Sequence, residues 1–448
     1  MKILFISLGC DKNLVDSEVM LGLLTKNGYT LTDDETQADV IVINTCCFIH
    51  DAKEESINTI LEMAQYKEQN LKALVVAGCL AERYKDEILK EIPEIDAVLG
   101  TTSYDSIVEA VNMALAENAG EHFEHYESID YLPDNSEVER VVTTGNHMAY
   151  LKIAEGCDKR CSYCIIPKIR GHFRSVPMEE LLNEAKRLAS EGVKELVLVA
   201  QETTLYGKDL TGEKQLPLLL RELCKIEGIE WIRLLYCYPE EITDELIEAI
   251  KTEEKVCNYI DMPIQHSENR ILQRMGRRTS REDLVAVIKK LRQEIPDITI
   301  RTTLITGFPG ESEEDHEGLM NFVEECKFDR LGVFTYSPEE DTLAATFEDQ
   351  IDEEVKEARR DELMSLQQEI SYEHTQQLVG KTIKVMVEGY LFEDDIYVGR
   401  SYMDAPKVDG CVFINSPEEL MTGDFVYVKI TQGREYDVIG EVDYEFTK

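Results

Sequence analysis

Short apolar runs alternate with amphipathic segments over residues 1–117. The runs that predict strands are Lys2–Leu8, Asp39–Asn44 and Lys72–Ala77, with a weaker one at Ala97–Leu99. The segments that predict helices are Asp16–Lys26, Asp51–Glu68 and Ala81–Glu91. This alternation is typical of an open parallel α/β sheet, so we predict a flavodoxin-like first domain.

Residues 118–146 break the alternation and contain Pro133 among acidic residues, which predicts a linker or a surface hairpin. The alternation resumes in longer units over residues 147–350, with helical patterns such as Glu179–Glu191 and Arg281–Glu294. The predicted strands there are Ala149–Ala154, Glu195–Ala200, Trp231–Tyr236, Tyr259–Met262, Ile298–Ile305 and Arg330–Tyr336. Six such units predict a partial (β/α)6 barrel with its chemistry at the carboxyl ends of the strands. Two doubly wound domains would give the same pattern.

In the last part of the chain, the spacing of apolar positions first indicates a helix and then strands. Residues 351–379 form a connecting-helix pattern, Asp352–Gln377, without Gly or Pro before Gly380, a plausible C-cap. Residues 380–448 then alternate with a period of two, in the runs Thr382–Glu388, Ile396–Arg400, Phe425–Thr431 and Tyr436–Val442. This pattern predicts a small antiparallel β-barrel or sandwich.

Charge narrows the class of partner. The 448 residues include 89 Asp and Glu against 47 Lys and Arg, a net charge of −42. Such a surface gains no free energy from counterion release along phosphates, which argues against general nucleic-acid binding and favours a basic partner. No apolar run is long enough for a membrane span, and the one at the N-terminus is too short for a signal peptide. We therefore expect a cytoplasmic protein without a membrane partner, whose patterned cysteines bind metal or do chemistry.

The sharpest motif holds three of the twelve cysteines, Cys157, Cys161 and Cys164, just after a predicted barrel strand. Three thiolates at this spacing can hold three irons of a 4Fe-4S cluster and leave the fourth iron open to a substrate or cofactor. A structural zinc site is the alternative, but zinc takes four ligands, and only His172 is near enough in sequence to be the fourth.

A second set of cysteines depends on the predicted sheet. Cys10, Cys46 and Cys79 each follow a strand of the first domain, and the carboxyl ends of parallel strands meet at one edge. We therefore expect them to converge on a second cluster with one open iron. Gly9 and Gly78 precede two of them and allow tight turns. The other cysteines share no spacing and are interpreted as small core residues, with Cys46 and its neighbour Cys47 facing opposite ways.

With Tyr163 before its last cysteine, the barrel motif resembles the signature of radical S-adenosylmethionine (SAM) enzymes, in which SAM binds the open iron and is cleaved to a radical. The upstream cysteines and a C-terminal barrel of TRAM type make the whole chain similar to the methylthiotransferases of that class. The segment Gly9–Glu18 resembles the branch that modifies ribosomal small-subunit protein twelve. The tRNA-modifying branch usually carries Gln-Met where this chain has Asp11 and Lys12.

The resemblance also implies contacts with SAM. Gln201 and Glu202 follow the second barrel strand and resemble the segment that takes the SAM amino group. The predicted contacts after the fifth strand are Gly307, Gly310 and Glu311, although an ordinary Pro-Gly turn explains that stretch equally well. Tyr163 completes the predicted cofactor-binding set, and His266 is given no role.

The implied reaction places a methylthio group on the β-carbon of an aspartate side chain in that ribosomal protein. It implies two 4Fe-4S clusters and SAM, both open irons facing one cavity, together with an electron donor and a sulfur source. A tRNA adenosine methylthiotransferase is the closest alternative. It should carry a basic C-terminal barrel, whereas residues 381–448 hold seven basic and fourteen acidic side chains. A non-enzymatic Fe-S scaffold is the second alternative and predicts four protein ligands for each cluster.

Overall fold

The computed structural model describes residues 1–116, 122–136 and 138–445. Its first domain is an all-parallel sheet in the order β2-β1-β3-β4-β5-β6, which extends the flavodoxin-like order 2-1-3-4-5 by one strand. Its strands are β1 (Lys2–Ser7), β2 (Thr30–Leu31), β3 (Val40–Thr45), β4 (Ala73–Gly78), β5 (Ala97–Leu99) and β6 (Phe123–His125). Its helices are α1 (Asp11–Lys26), α2 (His50–Ala64), α3 (Cys79–Arg83), α4 (Ile88–Glu91) and α5 (Ile107–Leu115). The prediction of the fold class is confirmed for this domain.

Three local predictions in this domain were wrong. Residues 118–146 are not only a linker, because they contain β6, which pairs in parallel with β5. The prediction missed β6 because a strand of three residues is too short to show an alternation of apolar and polar positions. Residues 118–121 and 137 of that stretch lie outside the described part. The helix predicted over Ala81–Glu91 is interrupted between α3 and α4. Helix α1 begins at Asp11 rather than Asp16. The prediction missed the first turn because its polar side chains, which the hydrophobic pattern assigns to the surface, are buried.

The second domain is a six-stranded parallel sheet whose strands run in chain order, β7-β10-β11-β12-β13-β14. Chain order without a reversal is the topology of a barrel and excludes two doubly wound domains. The strands are β7 (Met148–Lys152), β10 (Glu195–Val199), β11 (Trp231–Leu234), β12 (Val256–Asp261), β13 (Thr299–Thr306) and β14 (Arg330–Thr335), with a side ribbon of β8 (Ala154–Glu155) and β9 (Arg174–Ser175). The helices are α6 (Ile166–Ile169), α7 (Met178–Ser190), α8 (Lys208–Thr211), α9 (Leu216–Cys224), α10 (Asp244–Thr252), α11 (Asn269–Arg274), α12 (Arg281–Glu294) and α13 (Glu313–Cys326).

The two faces of this sheet are covered differently. One face packs against the helices of the barrel and includes the side chains of Leu196 and Leu198, which alternate with those of the other face. The other face, which includes Val197 and Val199, forms a separate core with Val15 of α1 and with residues of the C-terminal domain. The open side of the partial barrel is therefore filled by the other two domains, which places α1 against the barrel interior.

Helix α14 (Glu353–Gln376) leads to a closed five-stranded barrel in the order β15-β16-β17-β19-β18. Its strands are β15 (Thr382–Leu391), β16 (Ile396–Ser401), β17 (Val412–Asn415), β18 (Phe425–Gly433) and β19 (Val438–Val442). The predicted barrel is confirmed, with one departure from antiparallel pairing, because β17 and β19 are parallel. Within the described residues, no helix is both long and apolar enough to cross a membrane.

Candidate active site between two cysteine triads

The upstream triad, defined as Cys10, Cys46 and Cys79, lies at the ends of three neighbouring strands. Cys10 caps α1 after β1, Cys46 follows β3 directly, and Cys79 begins α3 directly after β4. Strands β1, β3 and β4 are adjacent in the sheet, so the structure brings these three positions to one edge as predicted. Cys46 lies against Gly9, whereas Cys47 lies in an apolar cluster that also contains Cys79, with its Sγ 3.1 Å from the carbonyl oxygen of Cys79.

Two glycines make the convergence possible. Gly9 has φ +87°, and a Cβ there would stand 2.5 Å from the Cβ and 2.8 Å from the Sγ of Cys46. Gly78 has φ +94°, and its Cβ would lie 2.3 Å from Oδ1 of Asn44. A side chain at either position would therefore need both a left-handed backbone and space that the site already uses.

We expect Gly9→Ala to displace Cys46 and to reduce the iron bound at the upstream triad by more than half. The strained backbone alone costs about 1–3 kcal/mol, and the clash adds to it. Gly28→Ala is the matched control, since Gly28 has φ +85° but nothing lies within 4 Å of its Cβ position. The control should lose about 1–2 kcal/mol of stability and keep its iron. Equal iron content in the two variants, measured after reconstitution, would contradict this role of Gly9.

Two thiols of the upstream triad lose their proton less readily than an ordinary cysteine. Burial raises the pKa of Cys46, and the neighbouring Cys10 raises it further. Burial also raises the pKa of Cys79 well above its usual range, an effect that the charge of Arg170 opposes. Such thiols stay protonated at neutral pH until a metal ion displaces the proton, and metal binding is then coupled to proton release.

The barrel triad, defined as Cys157, Cys161 and Cys164, lies in the loop between β8 and α6. Ser162 anchors this loop: its backbone NH donates to the carbonyl oxygen of Met275 at 2.9 Å, and its Oγ donates to that of Arg274 at 2.8 Å. Burial raises the pKa of Cys157 to about 12. The three cysteines are thus held on one short, fixed loop at the mouth of the barrel.

The fourth ligand of the zinc alternative is not supplied by His172. Its side chain is 75% exposed, and its Nδ1 lies 2.9 Å from Oδ1 of Asp158 on the surface. Among the described residues, no three His, Cys, Asp or Glu side chains come together tightly enough to hold a single metal ion. In a 4Fe-4S cluster each thiolate binds a different iron, so the sulfurs of a triad need not meet at one atom. The donor set of both triads fits such a cluster with one open iron.

Glu202 and Gln201 present unpartnered polar atoms next to the barrel triad. Glu202 is 1% exposed; its Oε1 accepts a 2.8 Å hydrogen bond from Thr204, and its Oε2 accepts none. Lys159, inside the triad loop, places its Nζ 3.6 Å from that Oε2. Burial raises the pKa of Glu202 to about 7, although the charge of Lys159 opposes the shift. Gln201 donates from Nε2 to Glu155 at 2.8 Å and leaves its Oε1 unpartnered. Buried acceptors of this kind fit a ligand that brings hydrogen-bond donors.

The glycine-rich stretch is a tightly packed turn. Gly307 has φ +70° and its Cβ would stand 2.2 Å from Cγ of Lys356, while Gly310 has φ +79° and its Cβ would stand 2.3 Å from Oδ2 of Asp349. Glu311 accepts hydrogen bonds from the backbone NH groups of Gly307 and Phe308 at 2.8 and 3.2 Å. The shape of the turn is therefore sufficient to explain why glycine stands at 307 and 310 and glutamate at 311. A contact of these three residues with SAM stays a prediction.

Tyr163 connects the turn to the triad loop. Its ring meets the ring of Phe308 edge to face, with centroids 6.5 Å apart, inside a small apolar cluster that includes Met275. The aromatic residue of the motif therefore fixes the barrel triad against the turn that follows β13. Its contact with SAM also stays a prediction.

One short segment after β11 contacts the surroundings of both triads. The Tyr236 hydroxyl donates to Oδ1 of Asp11 at 3.0 Å, and Nζ of Lys12 lies 3.2 Å from the centre of the Tyr236 ring. Two residues later, the Tyr238 ring lies under Lys159 of the barrel-triad loop, with Nζ 5.0 Å from its centre. This segment therefore connects residues next to Cys10 with the loop that carries the barrel triad.

Several residues of this site were missed by the sequence interpretation. Helix α1 contributes Lys12, Asn13 and Asp16, which are 6%, 0% and 3% exposed. Asn13 donates from Nδ2 to the carbonyl oxygens of Leu8 and Thr45 at 3.1 and 2.9 Å, tying two of the strand ends that carry cysteines. The sequence held one indication of these residues: all three lie in the segment Gly9–Glu18, which carries the resemblance to one branch of the family.

Comparison with known families matches all three domains. Residues 2–100 match the Uncharacterized protein family UPF0004, residues 151–323 the Radical SAM superfamily, and residues 379–442 the TRAM domain. A protein of Lachnoclostridium phytofermentans, named ribosomal protein uS12 methylthiotransferase RimO, is 62% identical over 444 residues, covering 99% of this chain and 100% of the relative. A protein of Acetivibrio thermocellus with the same name is 52% identical, covering 100% of this chain and 99% of the relative.

Solved structures with a similar fold are more distant. The radical SAM methyltransferase TsrM from Kitasatospora setae, with cobalamin and a [4Fe-4S] cluster bound, matches with a TM-score of 0.57 at 12% identity, over 85% of this chain and 78% of its own. The cobalamin-dependent SAM radical enzyme OxsB matches with a TM-score of 0.52 at 13% identity, over 81% and 56%. At these identities the similarity concerns the fold alone.

Proposed function

The chain belongs to the family of ribosomal protein uS12 methylthiotransferases, and we propose that its two cysteine triads hold two 4Fe-4S clusters facing one reaction cavity at the mouth of the barrel. It is a radical SAM methylthiotransferase that places a methylthio group on the β-carbon of an aspartate side chain of uS12. The observation that carries this arrangement is the segment Tyr236–Tyr238, whose two tyrosines contact the surroundings of the two triads.

The cofactors supply what acid-base side chains cannot, since an unactivated C–H bond has no useful acidity: a radical to take the hydrogen atom and a sulfur carrier. The residues of this chain bind and orient. Glu202 offers beside the barrel triad a carboxylate oxygen that accepts no hydrogen bond, although Lys159 lies 3.6 Å from it. Helix α1 contacts the barrel from the first domain, because Asp11 and Lys12 both meet Tyr236.

Glu202→Gln tests the binding of SAM by this carboxylate. We expect the affinity of the reconstituted protein for SAM to fall about 10- to 100-fold, because a hydrogen bond to a charged group contributes about 1.5–3 kcal/mol. Iron content should stay unchanged. The control is Glu213→Gln, which removes an exposed carboxylate of the same domain. Unchanged affinity in the Glu202 variant by equilibrium dialysis would remove this residue from the SAM site.

The same carboxylate predicts a pH dependence. Because burial raises the pKa of Glu202 to about 7, the carboxylate that would accept a hydrogen bond from the SAM amino group forms only as the pH rises through 7. The affinity of the unmodified chain should therefore weaken as the pH falls from 8 to 6, approaching tenfold per unit below the pKa. Glu202→Gln should bind SAM with a weaker dependence on pH, and a wild-type dependence no steeper than that of the variant would contradict the titration.

Charge supports a basic protein rather than RNA as the partner of the C-terminal barrel. Two of its acids are engaged inside the molecule: Asp404 pairs with Arg330 at 3.0 Å, and Asp409 pairs with Arg301 at 3.3 Å. Its outward charge is therefore less negative than the count of residues 381–448 indicates, yet it keeps an acidic surplus. Acidic side chains facing a basic protein speed and orient docking. The family reaction further requires an electron donor and a sulfur source, and we place the protein in the cytoplasm without a nucleic-acid or membrane partner.

Mass spectrometry after co-expression tests the substrate. Isolated uS12 should gain the mass of a methylthio group on one aspartate, and nucleosides from the tRNA of the same cells should show no change that depends on this chain. The inactive control is Cys157→Ala. A methylthio adduct on adenosine, with unmodified uS12, would assign the chain to tRNA instead.

A further inference from the structure

We propose that Arg170 is a positioning residue for the upstream cluster: it reaches across the domain boundary from the barrel, holds the thiolate of Cys79, and sets the reduction potential of the cluster. Arg170 directly follows α6, in the segment that leaves the barrel triad. Its Nη2 lies 3.6 Å from Sγ of Cys79, and the same nitrogen donates to Oδ1 of Asn13. One guanidinium group of the second domain therefore contacts a cysteine and the asparagine that organises the upstream site.

The guanidinium group is fixed by two carboxylates from different domains. Its Nη1 donates to Oδ2 of Asp16 in α1 at 2.9 Å and to Oε2 of Glu155 in β8 at 3.0 Å. Lys152 contacts the same two acids. All four side chains are at most 5% exposed. A buried, hydrogen-bonded set of charges has few alternative arrangements, so Arg170 keeps its place against Cys79.

The set of charges suits a cluster ligand. Two acids and two bases balance one another before any thiolate forms, and the thiolate of Cys79 in the cluster then adds a negative charge. Reduction adds another negative charge to the cluster, which a fixed cation at this distance stabilises in a buried site. Glu155 also accepts from Gln201, so the same set extends to the segment proposed to bind SAM.

The role of Arg170 rests on the proposed upstream cluster, so the experiment first tests whether the upstream triad binds a cluster and only then whether Arg170 affects it. The full chain carrying Cys157→Ala, Cys161→Ala and Cys164→Ala should bind only the upstream cluster. Failure of this variant to bind iron would refute the upstream site itself, before Arg170 is tested. With iron bound, the reduction potential of the remaining cluster is measured by a redox titration followed by electron paramagnetic resonance.

In that background we expect Arg170→Gln to lower the equilibrium constant for reduction about tenfold, which corresponds to about 59 mV for one electron. Arg170→Lys keeps the charge and should recover part of the shift, but it cannot contact Cys79, Asp16 and Glu155 together. Lys168→Gln is the matched control, because it removes a 59%-exposed cation two residues away. It should leave the potential unchanged.

An Arg170→Gln variant that folds, binds iron and keeps the wild-type potential would overturn the proposal. If that variant fails to fold, Arg170→Lys decides: an equilibrium constant for reduction at least threefold below that of the wild type would support the proposal, and a smaller decrease or none would overturn it. The opposite background, with the upstream triad replaced by alanines, should show no effect of Arg170→Lys on the potential of the barrel cluster. An equal shift in both clusters would contradict a specific role at Cys79.

Discussion

Cys79→Ala is expected to bind about half of the iron of the unmodified chain and to form no methylthiolated uS12, while still cleaving SAM to 5′-deoxyadenosine. Cys79 is the most enclosed ligand of the upstream triad, held between Asn13 and Arg170. Its loss should empty the upstream site and leave the barrel triad intact. The measurements are iron content, chromatography of deoxyadenosine and mass spectrometry of uS12.

Cys47→Ala provides a matched control for this experiment. Cys47 neighbours Cys46 in sequence and is fully buried, but it packs in the apolar core rather than at the Gly9 turn. Removing its sulfur should cost some stability and leave both clusters in place. Full iron content in Cys79→Ala, or loss of half of the iron in Cys47→Ala, would show that the upstream ligands are assigned wrongly.

Glu195→Ala should be the most destabilising single change at the interface between the barrel and the C-terminal domain. Glu195 is completely buried; its Oε1 lies 2.8 Å from Nε of Arg233, and its Oε2 lies 2.6 Å from Nη2 of Arg400. Removing it leaves two buried guanidinium groups without their shared partner, which costs about 3–5 kcal/mol. The free energy of unfolding is measured in urea.

The surface pair of Glu191 and Arg187 provides the contrast. Its atoms are 3.0 Å apart, four residues apart on α7 and its C-cap, with 46% of the Glu191 side chain exposed. Glu191→Ala should cost only about 0.3–0.5 kcal/mol. Similar losses in the two variants would mean that the buried network contributes no more than an exposed pair does.

The buried carboxylate of Glu195 should also make the free energy of unfolding decrease in acid. Burial alone would raise its pKa, but the charges of Arg400 and Arg233 outweigh burial and lower the pKa from 4.5 to about 2. A carboxyl with a lowered pKa stabilises the fold above its unfolded value, and this contribution is lost as the pH falls from about 4.5 to 2. Glu195→Gln should therefore unfold with a weaker dependence on pH in this range than the unmodified chain.

The sequence predicted those parts of the fold that repeat over short distances. The first-domain strands that carry the cysteines, and the six barrel strands, were found because each is a local apolar run. Cys10, Cys46 and Cys79 could be assigned to one edge because parallel strands place their carboxyl ends together. Short or irregular elements escaped: β6 has three residues, and β17 was not distinguished from its surroundings.

The sequence by itself determined the order of the domains, the positions of both triads and the family, because strand periods, cysteine spacing and motif residues are local properties of the chain. Only the tertiary structure decided which polar side chains are buried and what they contact. Arg170 meets Asp16 across 154 positions, and Arg400 meets Glu195 across 205. A charged residue in a sequence indicates a solvated surface by default, and only a distant partner of opposite charge makes its burial favourable. Those partners are brought together by the packing of α1 and the C-terminal barrel onto the open side of the central sheet.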